Sequence, residues 1–229
     1  MKVPRPKSLP AVVQVAGVHD YPEARLLIAA GVRMIGFPLR LPVHREDLSE
    51  AEAAAVIRRI PPGVTPVLIT YLPTAREIDT LATFLKVPAI QLHGGITPAE
   101  LQKLRAARAD YLLIKSLVVR GNNLPELEEQ VRQYTPFVDA FITDTFDPET
   151  GAEGATGKIH DWKISRKLVE SSPLPVILAG GLTPENVAEA IRTVRPAGVD
   201  VHTGVEGRDG RKSEKLVRRF LQNARKIFS

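Results

Sequence analysis

Pro175-Val176-Ile177-Leu178-Ala179-Gly180-Gly181-Leu182-Thr183-Pro184-Glu185-Asn186-Val187 is the stretch on which the fold turns. An apolar run between a proline and two glycines reads as a short strand buried on both faces. The glycines allow a sharp turn and a close backbone approach to a ligand. Thr183 is placed to cap a helix whose first residue is Pro184, where a missing N–H costs nothing. The free N–H groups of such a helix start would cradle a phosphate or carboxylate. A second strand–glycine unit follows, Gly198-Val199-Asp200-Val201-His202-Thr203-Gly204-Val205-Glu206. Two adjacent units of this kind, closing a chain of β/α repeats, predict the phosphate site of a (β/α)8 barrel built from its last two loops.

The rest of the chain supplies the repeats. Apolar runs at 11–15, 32–37, 64–70, 88–92, 111–116 and 137–144 read as strands one to six. Helical segments alternate with them, opened by Pro22, Ser49, Thr74, Thr97 and Pro125. Ser49-Glu50-Ala51-Glu52 and Thr74-Ala75-Arg76-Glu77 have capping-box spacing. A long connection over 145–160 precedes helix six, and a basic helix over 213–228 ends the chain. Strict alternation without a composition break predicts one α/β domain over 1–229 with a parallel sheet. An open doubly wound sheet would carry its glycine fingerprint after strand one, and Gly17 alone is not one.

The 229 residues are 44% hydrophobic and 25% charged, which suits one domain with a full core. There is no cysteine, so disulfides, thiolate metal sites and a cysteine nucleophile are excluded. The N-terminal residues, charged and broken by proline, lack an apolar signal segment, so a cytoplasmic location and no membrane contact are expected. The net charge is +5; residues 208–226 hold eight Lys/Arg and two Asp/Glu, leaving −1 for the remainder. That basic segment reads as a solvated helix face. It lacks the interleaved aromatics of a nucleic-acid surface. No histidine pair has metal-ligand spacing, and neither a metal nor a cofactor is expected.

Working residues of such a barrel lie at the C-terminal ends of strands. That rule selects Gln14, Ala16, His19 and Asp20 after strand one, and Arg40, His44, Arg45 and Asp47 after strand two. It adds Gln91 and His93, then Asp144 and Asp147, then Asp200 and His202. Asp144 ends a buried strand before a long loop, where desolvation lets a carboxyl group hold a proton and act as a general acid. The glycine-rich run 151–158 reads as a mobile lid. His160 is expected to pack that lid against helix six.

Taken together, these residues resemble the phosphoribosylanthranilate isomerase family of tryptophan biosynthesis. The resemblance spans nearly the whole chain. It is carried by Gln91-Leu92-His93-Gly94, by Asp144 with Gly154-Ala155-Thr156-Gly157 and Asp161-Trp162, by 178–187 and by 198–206. It implies a (β/α)8 barrel and an Amadori rearrangement, in which an aminoaldose phosphate becomes an aminoketose phosphate. It implies Asp144 as the general acid, Gly180, Gly181 and Gly204 as the phosphate cradle, and Arg45 as holder of the substrate carboxylate. From their position after strands, His93 and Asp200 are expected as further substrate contacts.

One departure stands out. The family reads Lys-Ile-Cys-Gly, with the cysteine as general base, where this chain reads Gln14-Val15-Ala16-Gly17. Alanine takes no proton. The family's Ser-Ser-Gly reads His202-Thr203-Gly204. Side chains alternate along a strand, so Asp200 and His202 share a face, and strand eight closes on strand one. His202 is therefore expected beside the space left at Ala16, with an ordinary pKa suited to proton transfer. Two alternatives remain open: an inactive relative that binds a phosphorylated metabolite, and a phosphosugar epimerase or lyase. The expected partner is a small phosphorylated sugar, and either a monomer or a homodimer fits.

Overall fold

The computed structural model describes residues 11–42, 46–145 and 160–228. Its strands close into one parallel barrel in chain order. They are β1 (Val12–Ala16), β2 (Met34–Pro38), β3 (Thr65–Thr70), β4 (Ala89–Leu92), β5 (Leu112–Val119), β6 (Ala140–Thr145), β7 (Val176–Leu178) and β8 (Gly198–Val201). The helices between and after them are α1 (Tyr21–Ala30), α2 (Glu50–Ile57), α3 (Ala75–Leu85), α4 (Pro98–Ala107), α5 (Leu124–Tyr134), α6 (Trp162–Ser171), α7 (Val187–Val194) and α8 (Glu214–Phe228). The expected α/β barrel is the observed one. Closure comes from β1 pairing with β8, with Gln14 opposite Asp200.

Local chemistry explains most helix starts. The Ser49 hydroxyl accepts from the backbone N–H of Glu52, and the Glu52 side chain returns the bond to the N–H of Ser49. Thr74 and Thr97 cap α3 and α4 through their hydroxyls. Asp20 caps α1, and Gly31, in the left-handed region at φ 100°, ends it. α7 differs from expectation: it begins at Val187, not Pro184. Thr183 instead shapes a turn. Its hydroxyl accepts from the N–H of Glu185, and its own N–H donates to Asn186 Oδ1 at 2.8 Å. The turn absorbs the donors that a helix start would have left free.

Strand alternation divides the apolar residues into two sets. Ala16, Met34, Val67, Ile69, Ala89, Ile114, Ala140, Ile142, Ile177 and Ala179 fill the lumen. A larger set, with Leu27, Ile35, Phe37, Leu68, Leu92, Phe141 and Phe220 fully buried, fills the shell between strands and helices. The basic helix α8 lays Val217, Phe220, Leu221 and Ala224 into that shell and turns its charges outward. No described helix is long and apolar enough to cross a membrane.

The connection from β6 to α6 is pinned at both ends by one side chain. His160 Nδ1 lies 2.8 Å from Thr145 Oγ1, and its Nε2 lies 2.6 Å from Ser165 Oγ. Burial pushes His160 down to about 4. The unfolded chain takes up this proton near the ordinary value of 6.5, while the folded chain takes it up only near 4. The stabilisation is therefore complete above pH 6.5 and is lost as pH falls toward 4. Replacing His160 with Gln should flatten this dependence. In urea melts, the wild-type advantage over H160Q should shrink by on the order of 2 kcal/mol between pH 7.5 and pH 4.5.

Candidate active site

Asp144 and His93 meet at the mouth of the barrel. Asp144 stands near the end of β6, and alternation from Ala140 and Ile142 turns it into the lumen. Its Oδ1 accepts the N–H of Thr145 at 2.8 Å. Its Oδ2 lies 3.5 Å from Nδ1 of His93, and both side chains are nearly fully buried. His93 follows β4, where its N–H extends the ladder to the carbonyl of Thr70 at 2.9 Å. Its ring packs against Tyr71 with centroids 5.1 Å apart.

Beneath this pair lies a polar layer. Gln91 Nε2 is 2.9 Å from His93 Nε2, and Gln91 Oε1 accepts from Gln14 Nε2 at 2.8 Å. Gln14 in turn hydrogen-bonds Asp200 on the neighbouring strand. Burial pushes Asp200 up to about 7, with Gln14, Lys212 and the Val201 backbone pulling the other way. In a lumen otherwise filled by aliphatic side chains, these groups satisfy one another only in part: Gln14 Oε1 and Asp200 Oδ1 have no hydrogen-bond partner among the described residues.

His202 sits on the rim where β8 meets β1. Its imidazole lies so close over Gly17 that a Cβ there would fall 2.0 Å from Nε2. Gly17 directly follows Ala16, the residue beside which the sequence reading expects His202. Nε2 is 3.7 Å from Glu206 and 4.0 Å from Asp47. Asp47 also lies 3.5 Å from His19 Nε2, so two imidazoles flank one carboxylate. Burial raises Asp47, opposed by His19 and Lys212. Lys212 holds this corner from below, donating to Glu206 Oε1 at 2.6 Å and to the carbonyl of His202 at 3.2 Å.

The glycine loops occupy the mouth between Asp144 and His202, since β7 and β8 separate β6 from β1. Gly180 and Gly181 both take positive φ, 98° and 61°. A Cβ at Gly180 would fall 2.1 Å from Thr145 Oγ1, so only glycine lets this loop lie against the end of β6. A Cβ at Gly204 would fall 1.9 Å from the carbonyl oxygen of Leu182. The loop after β7 and the short 3₁₀ turn Thr203–Val205 after β8 therefore touch backbone to backbone. The two glycine loops meet through this contact, apart from the start of α7.

Arg45, His44, Asp147 and the glycine-rich run 151–158 lie outside the described residues. Sequence reasoning missed Lys212, which it assigned to a solvated face although its side chain is fully buried. It also missed Lys115 on β5, which donates to the carbonyls of Gly94 at 3.1 Å and Ser116 at 3.0 Å and so braces the His93 loop. A lysine inside an apolar strand, Leu113-Ile114-Lys115-Ser116-Leu117, was the available signal for the second. Lys212, within a run of exposed charges, had none. Among the described residues no group of three His, Asp or Glu side chains is arranged to hold a metal ion.

Comparison with known proteins gives this geometry a family. Residues 12–223 match the family model described as N-(5′-phosphoribosyl)anthranilate isomerase. N-(5′-phosphoribosyl)anthranilate isomerase 2 of Methanosarcina mazei is 37% identical over 94% of this chain and 95% of its own length. The isomerase of Haloarcula marismortui is 36% identical over 93% and 95%. Among solved structures, the phosphoribosyl anthranilate isomerase of Thermotoga maritima superposes with a TM-score of 0.79 at 29% identity, covering 94% of this chain and 99% of that one. Another, solved with reduced 1-(o-carboxyphenylamino)-1-deoxyribulose 5-phosphate, gives 0.77 at 26% identity, covering 94% and 99%. The chain belongs to the N-(5′-phosphoribosyl)anthranilate isomerase family.

Proposed function

We propose that this isomerase-family enzyme converts N-(5′-phosphoribosyl)anthranilate, an aldose amine, into the corresponding 1-deoxyribulose phosphate, with Asp144 as acid and His202 as base. The observation that carries the assignment is the order of groups around the mouth: a buried carboxyl on β6, glycine loops after β7 and β8, then an imidazole against the end of β1. A substrate whose phosphate rests on backbone N–H groups of Gly180, Gly181 and Gly204 would have its sugar between the two proton-handling side chains.

The reaction needs no net redox partner. Asp144 gives its proton to the ring oxygen as the bond between that oxygen and C1′ breaks, leaving a protonated imine. His202 takes the proton from C2′, and the electron pair of that C–H bond forms the C1′–C2′ double bond of an enolamine. Loss of the enol proton and protonation at C1′ give the ketone, so every proton is returned. Each positioned transfer contributes on the order of 10²–10⁴-fold. His93 and Tyr71 close one side of the pocket, and Asp200 lies beneath. Arg45 is the proposed contact for the anthranilate carboxylate.

An inactive phosphometabolite-binding relative is disfavoured, because a drifting site has no reason to retain the buried Asp144–His93 pair. A homodimer or a monomer serves this chemistry equally, since all the named side chains come from one chain. The cytoplasm, where phosphorylated biosynthetic intermediates are kept, is the proposed location.

In steady-state assays with phosphoribosylanthranilate, Asp144→Asn and His202→Ala should each lower kcat by roughly 10²–10⁴-fold. Ala16→Cys placed in the H202A background should recover part of the loss, because it returns a proton acceptor to the lumen beside Gly17. Wild-type rates for both single variants would overturn the acid–base assignment. Gly204→Ala should raise KM for phosphorylated substrate and lower stability by about 1–3 kcal/mol, because its Cβ collides with a backbone carbonyl. Inorganic phosphate should inhibit the wild type and not G204A.

A further inference from the structure

We propose that Asp47 is a specificity-determining residue: its carboxylate accepts a hydrogen bond from the hydroxyl on C2′ of the sugar, the carbon from which His202 removes a proton. The inference rests on the reading of His202 as the base. It deepens that reading by naming the group that fixes which substituent of C2′ the base meets.

Three loops meet at this rim. His19 follows β1, Asp47 follows β2 and His202 follows β8. Asp47 Oδ1 lies 3.5 Å from His19 Nε2, and Oδ2 lies 4.0 Å from His202 Nε2. Both are electrostatic contacts, longer than an ordinary hydrogen bond. Neither imidazole is placed to come closer. The backbone N–H of His19 donates to Glu23 Oε2 at 2.7 Å, and its Nδ1 lies 3.2 Å from the same oxygen. The carbonyl of His202 is held by buried Lys212 at 3.2 Å.

The neighbouring carboxylates single Asp47 out. Asp20 accepts the N–H of Glu23 at 2.9 Å. Glu23 accepts the N–H groups of His19 and Lys212 at 2.7 and 2.6 Å. Glu206 accepts from Lys212 Nζ at 2.6 Å. Asp47 accepts no hydrogen bond among the described residues. Its side chain is only 23% exposed, so water reaches it from one side. Burial raises its pKa, while His19 and Lys212 favour the charge and Glu206 and Glu23 oppose it. A half-buried carboxylate that receives no donor from the protein is equipped to take one from a ligand.

The chemistry of the substrate selects the donor. Besides its two carbon neighbours, C2′ carries one hydrogen and one hydroxyl. With His202 at the hydrogen, the hydroxyl of the same tetrahedral carbon projects beside the imidazole. Asp47 lies there, 4.0 Å from Nε2. An ionised carboxylate only accepts, and the hydroxyl donates, so the two are matched. The opposite configuration at C2′ would turn the hydroxyl to the imidazole and the hydrogen to the carboxylate. The acceptor would then stay unpaired and the base would meet no C–H bond. Asp47 therefore reads the configuration at C2′ before any bond is broken.

Ligands that cannot react separate this contact from catalysis. The probes are 1-(o-carboxyphenylamino)-1-deoxyribitol 5-phosphate, whose C2 corresponds to C2′, and its 2-deoxy and 3-deoxy counterparts. Binding to the full-length protein is measured by calorimetry, with folding checked by thermal melts. The wild type should prefer the parent over the 2-deoxy ligand by about 10- to 100-fold, the range for a hydrogen bond to a charged group. Asp47→Ala should bring that preference to within about twofold. Asp47→Asn keeps an acceptor without the charge and should fall between the two; it carries the test if D47A does not fold. The cost of losing the 3-hydroxyl should be the same in the wild type and both variants. A merely structural role for Asp47 would weaken all three ligands alike and keep the preference for the 2-hydroxyl, which overturns the proposal. Loss of the preference for the 3-hydroxyl instead also overturns it. If the wild type binds all three equally while D144N and H202A are inactive, this inference fails and the acid–base assignment stands. If the wild type binds none of them, the substrate reading fails and this inference falls with it.

Discussion

Everything at the mouth depends on how the barrel closes. β1 meets β8 in the register that sets Gln14 opposite Asp200. A slip of one residue would turn every lumen side chain into the helix shell and every shell side chain into the lumen. The apolar residues enforce this register from both sides, because the lumen accepts Ala16, Ala140 and Ala179 where the shell demands Ile35, Phe141 and Leu178. The polar groups there have no freedom to find other partners, since the strands that carry them are fixed by apolar packing.

Electrostatics at the site follow from that confinement. A carboxyl group in a lumen of aliphatic side chains resists ionisation unless a donor or cation is supplied. Asp200 receives an amide and a more distant lysine, and stays near neutrality. Asp139, on the opposite face of the sheet, receives the Arg105 guanidinium at 2.7 Å and the N–H of Leu113 at 2.8 Å. The two residues are chemically identical. Their partners assign one to architecture, tying α4 to β5 and β6, and leave the other buried with a raised pKa.

The sequence made the barrel legible because each local signal agreed with its neighbours. Capping residues at Ser49, Thr74 and Thr97 and the alternation of strands with helices all pointed to the same repeating units. The start of α7 was misplaced because Thr183 and Asn186 satisfy each other's turn rather than capping a helix, and both outcomes use the same residue types. The site was half legible. Asp144, His93 and the glycines could be named from their position after strands. That Gln14 and Gln91 join these ends into one polar layer needed the register between β1, β4 and β8, which no local pattern encodes. Lys212 escaped notice because burial of a charge depends on Glu206 lying above it, a contact fixed by the 3₁₀ turn.

The His160 clasp has one more implication. By joining Thr145 to Ser165 it brings the chain leaving β6 back to the start of α6 before the intervening residues matter to the barrel. The end of β6 and the first turn of α6 are thereby held to each other through a single imidazole. Acid that charges this imidazole would therefore part the sixth strand from the sixth helix before it disturbs the rest of the wall.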